Sequence, residues 1–597
     1  MRQLFKNRRL LCLAVAVVAV AAAASLSYAG GPLLVVDGQA ITWQKTEVRG
    51  GPLNTQTVDA NGVVQYRLDS GPLGPLSNDQ ARALADRIFG LYNSIPTSTI
   101  RFNNAGPIMD PSTGQPVDVN GTNVGKFIGN NPTFQNPIIF DSDGAITNDP
   151  TVLGFFSFLN FDLNAKTLQE AFVVLNGQPL TRHSISTVSF LGVFTHEFGH
   201  FVGPLDHEQI NGNIASDGSG ALLPAGFSRA QAYDLYAPFT ETLFPFLFDA
   251  PPGSQLGAQF EDSGFFVASL DMDTINAVSD LYPTPNYQAT TGSIQGQVLV
   301  QAGSAQIPVT GINIVARRID QGAYPPGPTV TAFSGAPVVD SAGVPQAPQA
   351  QAATDSLATI SSAVTGLQFG NGTYKIQGLP PGNYLVSMEQ INPDATQGSS
   401  IGPLTSQAML PVVEEFFNGP NTSSNSVSVF NPVTVTAGQV TNGINFMVNG
   451  LSTAPLTPVS ANGNNNRKKT AQAIPVGSEV TGTVSDSDAA QLRVDFGGGS
   501  LEFVSNLYKF TVTTTGIFFI TLDGTSGTPG ADIDLFLWNN GVNKKRSSTS
   551  DPNLVSGSFG PTADEMVAVQ LTPGTYIIGV ASAQGTENYK MRLIASQ

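Results

Sequence analysis

Three of the chain's four histidines lie within twelve residues, in His196-Glu197-Phe198-Gly199-His200 and the turn that ends at His207. Residues four apart on a helix share a face, so His196 and His200 can present both imidazoles to one zinc ion. Glu197 lies about 100° around the helix from His196, which suits a carboxylate that acts on water and does not bind the metal. The spacing predicts hydrolytic zinc chemistry with Glu197 as general base.

The turn after this helix offers two candidates for a third zinc ligand. Gly203 can end the helix in the left-handed conformation, and Pro204 prevents the helix from continuing. The chain can then turn back toward the metal and present Asp206 or His207. Neutral imidazole is the commoner zinc ligand, so we favour His207 and keep Asp206 as the alternative.

The segment HEFGHFVGPLDH resembles the matrixin-like metzincin zinc metalloproteases, whose pattern is HExxHxxGxxH. One extra residue follows Gly203, so strict register puts Asp206 in the ligand position, while an insertion at Pro204 restores His207 to it. The resemblance implies an α+β metzincin-like catalytic domain over residues 30–285. It also implies endopeptidase activity on protein or peptide substrates, with Zn²⁺ as cofactor.

The resemblance further implies a tight turn beneath the metal, in which the family places a methionine. The matching residues here are Leu243, Phe244 and Pro245, so a leucine stands where the family has methionine. That side chain packs under the ligands without binding the metal, and a leucine can fill the same volume at modest cost.

A second metal is considered at Asp141 and Asp143, which precede Gly144. Hard cations prefer carboxylate oxygens, so this pair is a candidate for a Ca²⁺ site. An ordinary Asp/Gly turn is the alternative, and it is the interpretation that we favour.

Hydrophobic periodicity predicts the elements around these residues. Helices are expected at 77–94, 187–202 and 270–282, and strands at 137–141, 152–158 and 171–175. By analogy with the family, strand 152–158 would be the sheet edge that pairs with an extended substrate. An ordinary core strand is the alternative.

The N-terminus has the pattern of a bacterial signal peptide over residues 1–29. Four basic residues precede an apolar run, and Ser27-Tyr28-Ala29 resembles a cleavage site; an uncleaved anchor is the alternative. The only cysteine, Cys12, lies in this leader, so the mature chain has no disulfide. We expect a secreted, extracellular bacterial protein, with loose association with the cell surface left open.

The charge balance argues against polyanionic partners. The net charge is −17, and without residues 1–29, which carry four basic residues and no acid, it becomes −21. Nucleic acid and anionic membranes are therefore not expected as partners after signal cleavage. The oligomeric state stays open.

After Pro283 the sequence becomes nearly all β, which predicts a multidomain chain with two all-β sandwich domains. Residues 286–450 resemble the carboxypeptidase regulatory-like or collagen-adhesin B-type sandwich through GTYKIQGLPPGNYLV, with a low-complexity insert near 320–362. A polar linker is expected at 451–466. Residues 467–597 resemble the bacterial pre-peptidase C-terminal domain through YKFTV, ADIDLFL and LTPGTYIIGV.

These patterns predict a secreted zinc endopeptidase. A different class also fits the sequence, namely a secreted adhesin or matrix-binding protein whose catalytic fold has lapsed. Leu243 and the extra residue at Pro204 are the features that favour this alternative.

Overall fold

The structure is a computed structural model that describes residues 39–129, 132–205, 228–309, 312–319, 360–364, 373–390 and 410–597, apart from short interruptions. The interruptions are 238–239, 245–246, 248, 259, 412–413, 427, 489–491, 498–499, 530, 544, 549–550 and 559–564. Strands β1 (Val35–Val36) and β2 (Gln39–Ala40) also form a pair. The predicted leader 1–29, Asp206, His207, Pro245 and most of the insert 320–362 lie outside the described residues.

The N-terminal region, residues 39–290, is built on a mixed sheet in the order β3-β10-β8-β6-β5-β4, with β7 beside β6 and β9 beside β10. Its strands are β3 (Thr42–Trp43), β4 (Val48–Gly50), β5 (Thr55–Val58), β6 (Val64–Leu68), β7 (Phe102–Pro107), β8 (Pro137–Asp141), β9 (Gly154–Asp162) and β10 (Thr167–Asn176). Strand β9 runs antiparallel along β10, and β8 runs parallel to it.

Strand β10 is apolar on both faces because both faces are covered. Ala171, Val173 and Leu175 join the main core, whereas Phe172 and Val174 join a smaller cluster on the other side of the sheet. Alternate residues of a strand point to opposite faces, so a run of apolar residues replaces the usual alternation.

The helices described in this region are α1 (Asn78–Asn93), α2 (Gln178–Thr181), α3 (Thr187–Val202), α4 (Arg229–Tyr236), α5 (Met272–Leu281) and α6 (Tyr287–Thr290). Helices α1, α2, α3 and α5 contribute buried residues to the main core, whereas Tyr233 of α4 belongs to a separate buried cluster. Ser77 begins α1 with a capping box, and the Ser186 side chain accepts the Ser189 N–H at the start of α3. The three predicted helices are confirmed, α3 with the predicted bounds.

The prediction that Gly203 adopts the left-handed conformation is wrong. Helix α3 does end at Val202, but Gly203 has φ −108° and ψ 3°. The glycine is needed for space, because a Cβ at this position would lie 2.5 Å from Leu205 Cγ. Leu205 is fully buried in the main core, so it cannot readily give way.

The second region, residues 292–451, consists of two sheets around one apolar core. Its strands are β11 (Gly292–Ala302), β12 (Ala305–Pro308), β13 (Ile312–Arg318), β14 (Val338–Val339), β15 (Pro345–Gln346), β16 (Ile360–Val364), β17 (Thr373–Leu379), β18 (Gly382–Gln390), β19 (Glu414–Gly419), β20 (Thr422–Ser424), β21 (Val433–Val435), β22 (Val440–Thr441) and β23 (Phe446–Met447). One sheet runs β12-β11-β17 and the other β16-β13-β18-β19-β20, while β14 and β15 pair separately.

The C-terminal sandwich, residues 457–597, is also all β. Its strands are β24 (Thr457–Ser460), β25 (Gln472–Ala473), β26 (Ser478–Ser485), β27 (Leu492–Gly497), β28 (Ser500–Val512), β29 (Gly516–Gly527), β30 (Asp532–Asn539), β31 (Arg546–Ser548), β32 (Leu554–Ser558), β33 (Glu565–Leu571), β34 (Gly574–Gln584) and β35 (Thr586–Ala595). One sheet has the order β24-β26-β35-β29-β33, and the other runs β31-β27-β28-β34-β30-β32.

The two β regions share apolar packing. Phe519 and Ile594 of the C-terminal sandwich belong to the same buried cluster as Ile294 and Phe446 of the second region. The predicted linker 451–466 is partly built into this assembly, because β24 pairs in parallel with β26. Among the described residues, no helix is long and apolar enough to cross a membrane.

Candidate active site

Helix α3 brings His196 and His200 together on one face. Their Nε2 atoms are 3.1 Å apart. His196 Nδ1 lies 3.1 Å from the Thr242 carbonyl oxygen, and His200 Nδ1 lies 2.6 Å from that of Leu205. A carbonyl can only accept, so each Nδ1 carries a proton, and in a neutral imidazole the Nε2 then presents a lone pair.

Two lone pairs at this separation repel each other unless a positive charge lies between them, either a metal ion or a proton carried by one of the two rings. Two nitrogens bound tetrahedrally to one zinc at about 2.0–2.1 Å lie about 3.3 Å apart. The separation of the two Nε2 atoms and the carbonyl partners behind them therefore fit a zinc ion. Carbonyl oxygens are common partners of zinc-binding histidines.

Glu197 faces the start of the edge strand β9. Its side chain is buried, and burial raises the pKa of Glu197 to about 8. A Cβ at Gly154 would lie 2.7 Å from Glu197 Cγ and 2.8 Å from its Oε1, so only glycine allows the strand to pass this closely. Two residues along the strand, the Phe156 ring stacks toward that of His200 with centroids 6.3 Å apart.

The predicted turn beneath the metal lies against the histidine helix. Leu243 is fully buried, and a Cβ at Gly199 would lie 2.6 Å from Leu243 Cδ2. The same Cβ would lie 2.8 Å from the hydroxyl of Tyr92, which donates to the Thr195 carbonyl. Gly199 thus allows the helix to rest on both side chains, and Phe244 is buried beside Leu243 in the same turn.

Both candidates for a third zinc ligand, Asp206 and His207, lie outside the described part of the chain, immediately after Leu205. Within the described part, no group of three or more His, Cys, Asp and Glu side chains could hold a metal ion. The choice between His207 and Asp206 stays a prediction.

Asp141 and Asp143 both make the hydrogen bonds of a turn. Asp141 Oδ2 accepts from the Thr147 N–H at 2.8 Å and from the Ile146 N–H at 3.1 Å, and Asp143 Oδ1 accepts from the Ala145 N–H. The Asp143 bond, to the N–H two residues later, is that of an Asx turn. Asp141 Oδ1 is buried and has no hydrogen-bond partner. Calcium binding here stays a prediction.

A buried acidic group lies behind the turn. Glu241 is 1 % exposed, and its carboxylate lies beside that of Asp273. Burial, with the charges of Asp273, Asp271 and Glu389, raises the pKa of Glu241 well above its usual range. Glu389 belongs to β18, so this group of acids spans the boundary between the N-terminal and second regions.

Sequence reasoning missed the groups that orient the histidines. Backbone carbonyls of Thr242 and Leu205 carry no signal of their own in a sequence. The role of Gly154 could not be predicted either, because only the fold shows how closely β9 approaches Glu197. The acidic first turn of the closing helix, which includes Asp271, was visible, but its contact with Thr242 was not.

Comparison with known proteins gives no family assignment: no family model matches the chain, and no curated protein matches it. Solved structures align with parts of it. The pre-peptidase C-terminal domain of a collagenase from Bacillus anthracis is 14% identical, with a TM-score of 0.15, covering 21% of this chain and 93% of that one.

Two further structures align at similar levels. A periplasmic inhibitor of g-type lysozyme from Aeromonas hydrophila is 10% identical, with a TM-score of 0.14, covering 24% of this chain and 100% of that one. The major pilin of Corynebacterium diphtheriae is 11% identical, with a TM-score of 0.13, covering 51% and 56%. At these scores the likenesses carry no statement about function.

Proposed function

We propose that the chain is a secreted, zinc-dependent endopeptidase of the metzincin type. The observation that carries the proposal is the pair of Nε2 atoms, 3.1 Å apart, each belonging to an imidazole whose Nδ1 faces a backbone carbonyl. This is the arrangement that prepares two histidines for one cation. Glu197 follows His196 directly and is buried beside them, where a general base is needed.

A zinc ion held by His196, His200 and a third ligand would supply Lewis-acid chemistry and lower the pKa of a water toward about 7. The chain's own residues do the proton transfer. In its carboxylate form, which a zinc ion beside it would favour over the protonated form that burial alone favours, Glu197 takes the proton of the attacking water and passes it to the leaving amine.

Strand β9 supports an extended peptide as substrate. Among the described strands, β9 pairs with β10 alone, so its other edge can accept the backbone of a peptide. It runs past Glu197 at Gly154 and past His200 at Phe156, so a bound strand would place a scissile bond near both. The chain carries no proline within β9 that would remove a donor.

The test compares three variants of the full chain. Glu197→Gln should retain zinc at the level of the unmodified chain and lose about 10²-fold or more in casein hydrolysis, because the base is lost and the ligands remain. His200→Ala should lose zinc and activity together. His183→Ala, which removes the exposed fourth histidine, should keep both.

The outcomes separate the proposal from its competitor. Atomic absorption measures the zinc content of each variant. Unchanged hydrolysis by Glu197→Gln would contradict the mechanism. An unmodified chain that binds zinc but hydrolyses no casein, gelatin or short peptide would favour the lapsed adhesin or matrix-binding protein. That competitor is supported by Leu243 at the position where the family has methionine.

A further inference from the structure

Thr242 supplies the carbonyl that orients His196, yet it belongs to neither α3 nor the sheet. Its side chain is fully buried, and its carbonyl oxygen is 3.1 Å from His196 Nδ1. The direction of that carbonyl depends on whatever holds the 240–244 segment. The groups that hold it therefore decide how the imidazole of His196 is presented.

Three hydrogen bonds fix Thr242, and all of them join it to the segment before α5. The Thr242 N–H donates to Asp271 Oδ2. Thr242 Oγ1 donates to the Ser269 carbonyl at 2.8 Å and accepts from the Asp271 N–H at 3.0 Å. Asp271 thus contacts Thr242 twice, through its carboxylate and through its own backbone.

The other oxygen of the same carboxylate begins a helix. Asp271 Oδ1 accepts the Thr274 N–H at 2.7 Å and caps α5, whose Ala277 and Val278 are buried in the main core. One side chain therefore ties the turn of Thr242 to a helix that cannot move without disturbing the core. This makes Asp271 a rigid attachment for the turn.

The segment before α5 also contacts the histidine helix directly. Thr195, one residue before His196, has its Oγ1 3.0 Å from the Leu191 carbonyl oxygen and 3.2 Å from that of Ala268, so its one hydroxyl proton is shared between the helix and this segment. Helix α3, the turn at Thr242 and the 268–271 segment thus form a closed circuit of hydrogen bonds. Within such a circuit the loss of one bond alters the position of the others.

We propose that Asp271 is a positioning residue for the zinc site: through Thr242, it fixes the direction and tautomer of His196. This inference rests on the proposed function. Partners behind a ligand are worth about 10–100-fold in metal affinity when they are removed. Asp271 acts one step further back, and its loss should weaken zinc binding by about 10-fold.

The main test is Asp271→Asn in the full chain. The asparagine Oδ1 can still accept the Thr274 N–H and cap α5, while its amide group would face the Thr242 N–H as a second donor. The cap is kept and the turn is released. Zinc affinity, measured by competition with a chelator, should fall about 10-fold. The visible spectrum of the Co²⁺-substituted protein should change, because the ligand field of His196 changes.

Asp273→Asn is the matched control, since it removes a carboxylate of the same charge two residues along the same helix, next to Glu241. It should leave the Co²⁺ spectrum unchanged. Should Asp271→Asn fail to fold, Thr242→Val and Thr242→Ser replace it. The valine removes the Oγ1 bonds and should weaken zinc binding, whereas the serine keeps them and should restore it.

The two proposals fail in different ways. A chain that binds zinc with equal affinity and an equal Co²⁺ spectrum with and without Asp271→Asn would overturn the role of Asp271 and leave the endopeptidase proposal intact. An unmodified chain that binds no zinc would overturn both.

Discussion

Around α3, the N-terminal region buries polar groups that converge, among them Glu197, His200, Thr195 and Thr242. The contact between the second region and the C-terminal sandwich buries apolar side chains, such as Phe519 and Ile594, in a shared cluster. A buried polar group must be matched by an oriented partner, so the first arrangement is sensitive to small displacements. An apolar contact depends mainly on volume and tolerates them better.

The contact between the N-terminal and second regions is polar, like the group of buried side chains around α3. Asn276 Nδ2 donates to the Gln377 carbonyl at 3.2 Å, and Glu241 lies near Glu389. We therefore expect the two β regions to respond to perturbation together. The N-terminal region should respond separately, and its contact should depend on pH.

The largest expected effect is at the third ligand. His207→Ala should weaken zinc binding by more than 100-fold, because loss of a ligand exceeds the 10–100-fold cost of losing a partner behind one. Asp206→Ala should stay within that 10–100-fold range. Chelator competition measures both variants. An Asp206→Ala protein that purifies without zinc, beside a zinc-loaded His207→Ala protein, would reverse the assignment.

Phe519→Ala should destabilise both β regions by about 3–5 kcal/mol, since it leaves a cavity in their shared cluster. Phe518→Ala is the matched control, because the neighbouring side chain points into the core of the C-terminal sandwich alone. Calorimetry should show the β regions unfolding in one transition for Phe518→Ala and in two for Phe519→Ala. A single transition in both variants would mean that the shared cluster does not couple the regions.

Glu241→Gln should stabilise the protein at high pH. Burial and neighbouring acids raise the pKa of Glu241, so the folded state holds a proton that the unfolded state releases. Stability from this group is present below the unfolded pKa, near 4.5, and is lost as pH rises toward the folded value. The variant should match the unmodified chain at pH 4 and melt at least about 2 °C higher at pH 8.

The control for this variant is Glu47→Gln, which makes the same substitution at a side chain that is 46 % exposed and lies outside this group of acids. A melting temperature that rises with Ca²⁺ at pH 8, only while Glu241 is present, would show that a cation and not a proton neutralises this group of acids.

The smallest expected effect is a difference in the order in which two segments are cleaved during limited proteolysis. The composition of 320–362 favours cleavage there first. Residues 457–460 of the predicted linker pair with 478–481, so we expect them to resist cleavage under the same conditions. Mass spectrometry of the first fragments measures the order. Early cleavage within 457–460 would show that the β24–β26 pairing opens readily.

Much of the site could be predicted from the sequence because its signals are local. The Gly203-Pro204 pair marks the end of α3 at Val202, and the closeness of His196 and His200 follows from one helical turn. The edge strand was expected at 152–158 and is found at Gly154–Asp162, since its length is set by pairing with β10. Strand ends depend on the partner strand, which a local pattern does not contain.

Contacts between distant segments could not be predicted. The Thr242 N–H donates to Asp271, which lies 29 residues later in the chain. Neither residue type carries a local signal that predicts this contact. Phe519 alternates with Phe518 as any strand residue would, so nothing local shows that it faces another region. Residues 457–460, which form β24, were predicted to belong to a linker because the segment is rich in Pro and Ser.

The strand order β24-β26-β35-β29-β33 in the C-terminal sandwich has a consequence for folding during synthesis on the ribosome. Strand β35 lies between β26 and β29 and pairs with both, although it follows them by many residues in the chain. Until the ribosome has added 586–595, each of these two strands keeps an edge that has no partner. Assembly of this sheet is thus a late, long-range event, of the kind that is slow and exposes nascent chains to aggregation.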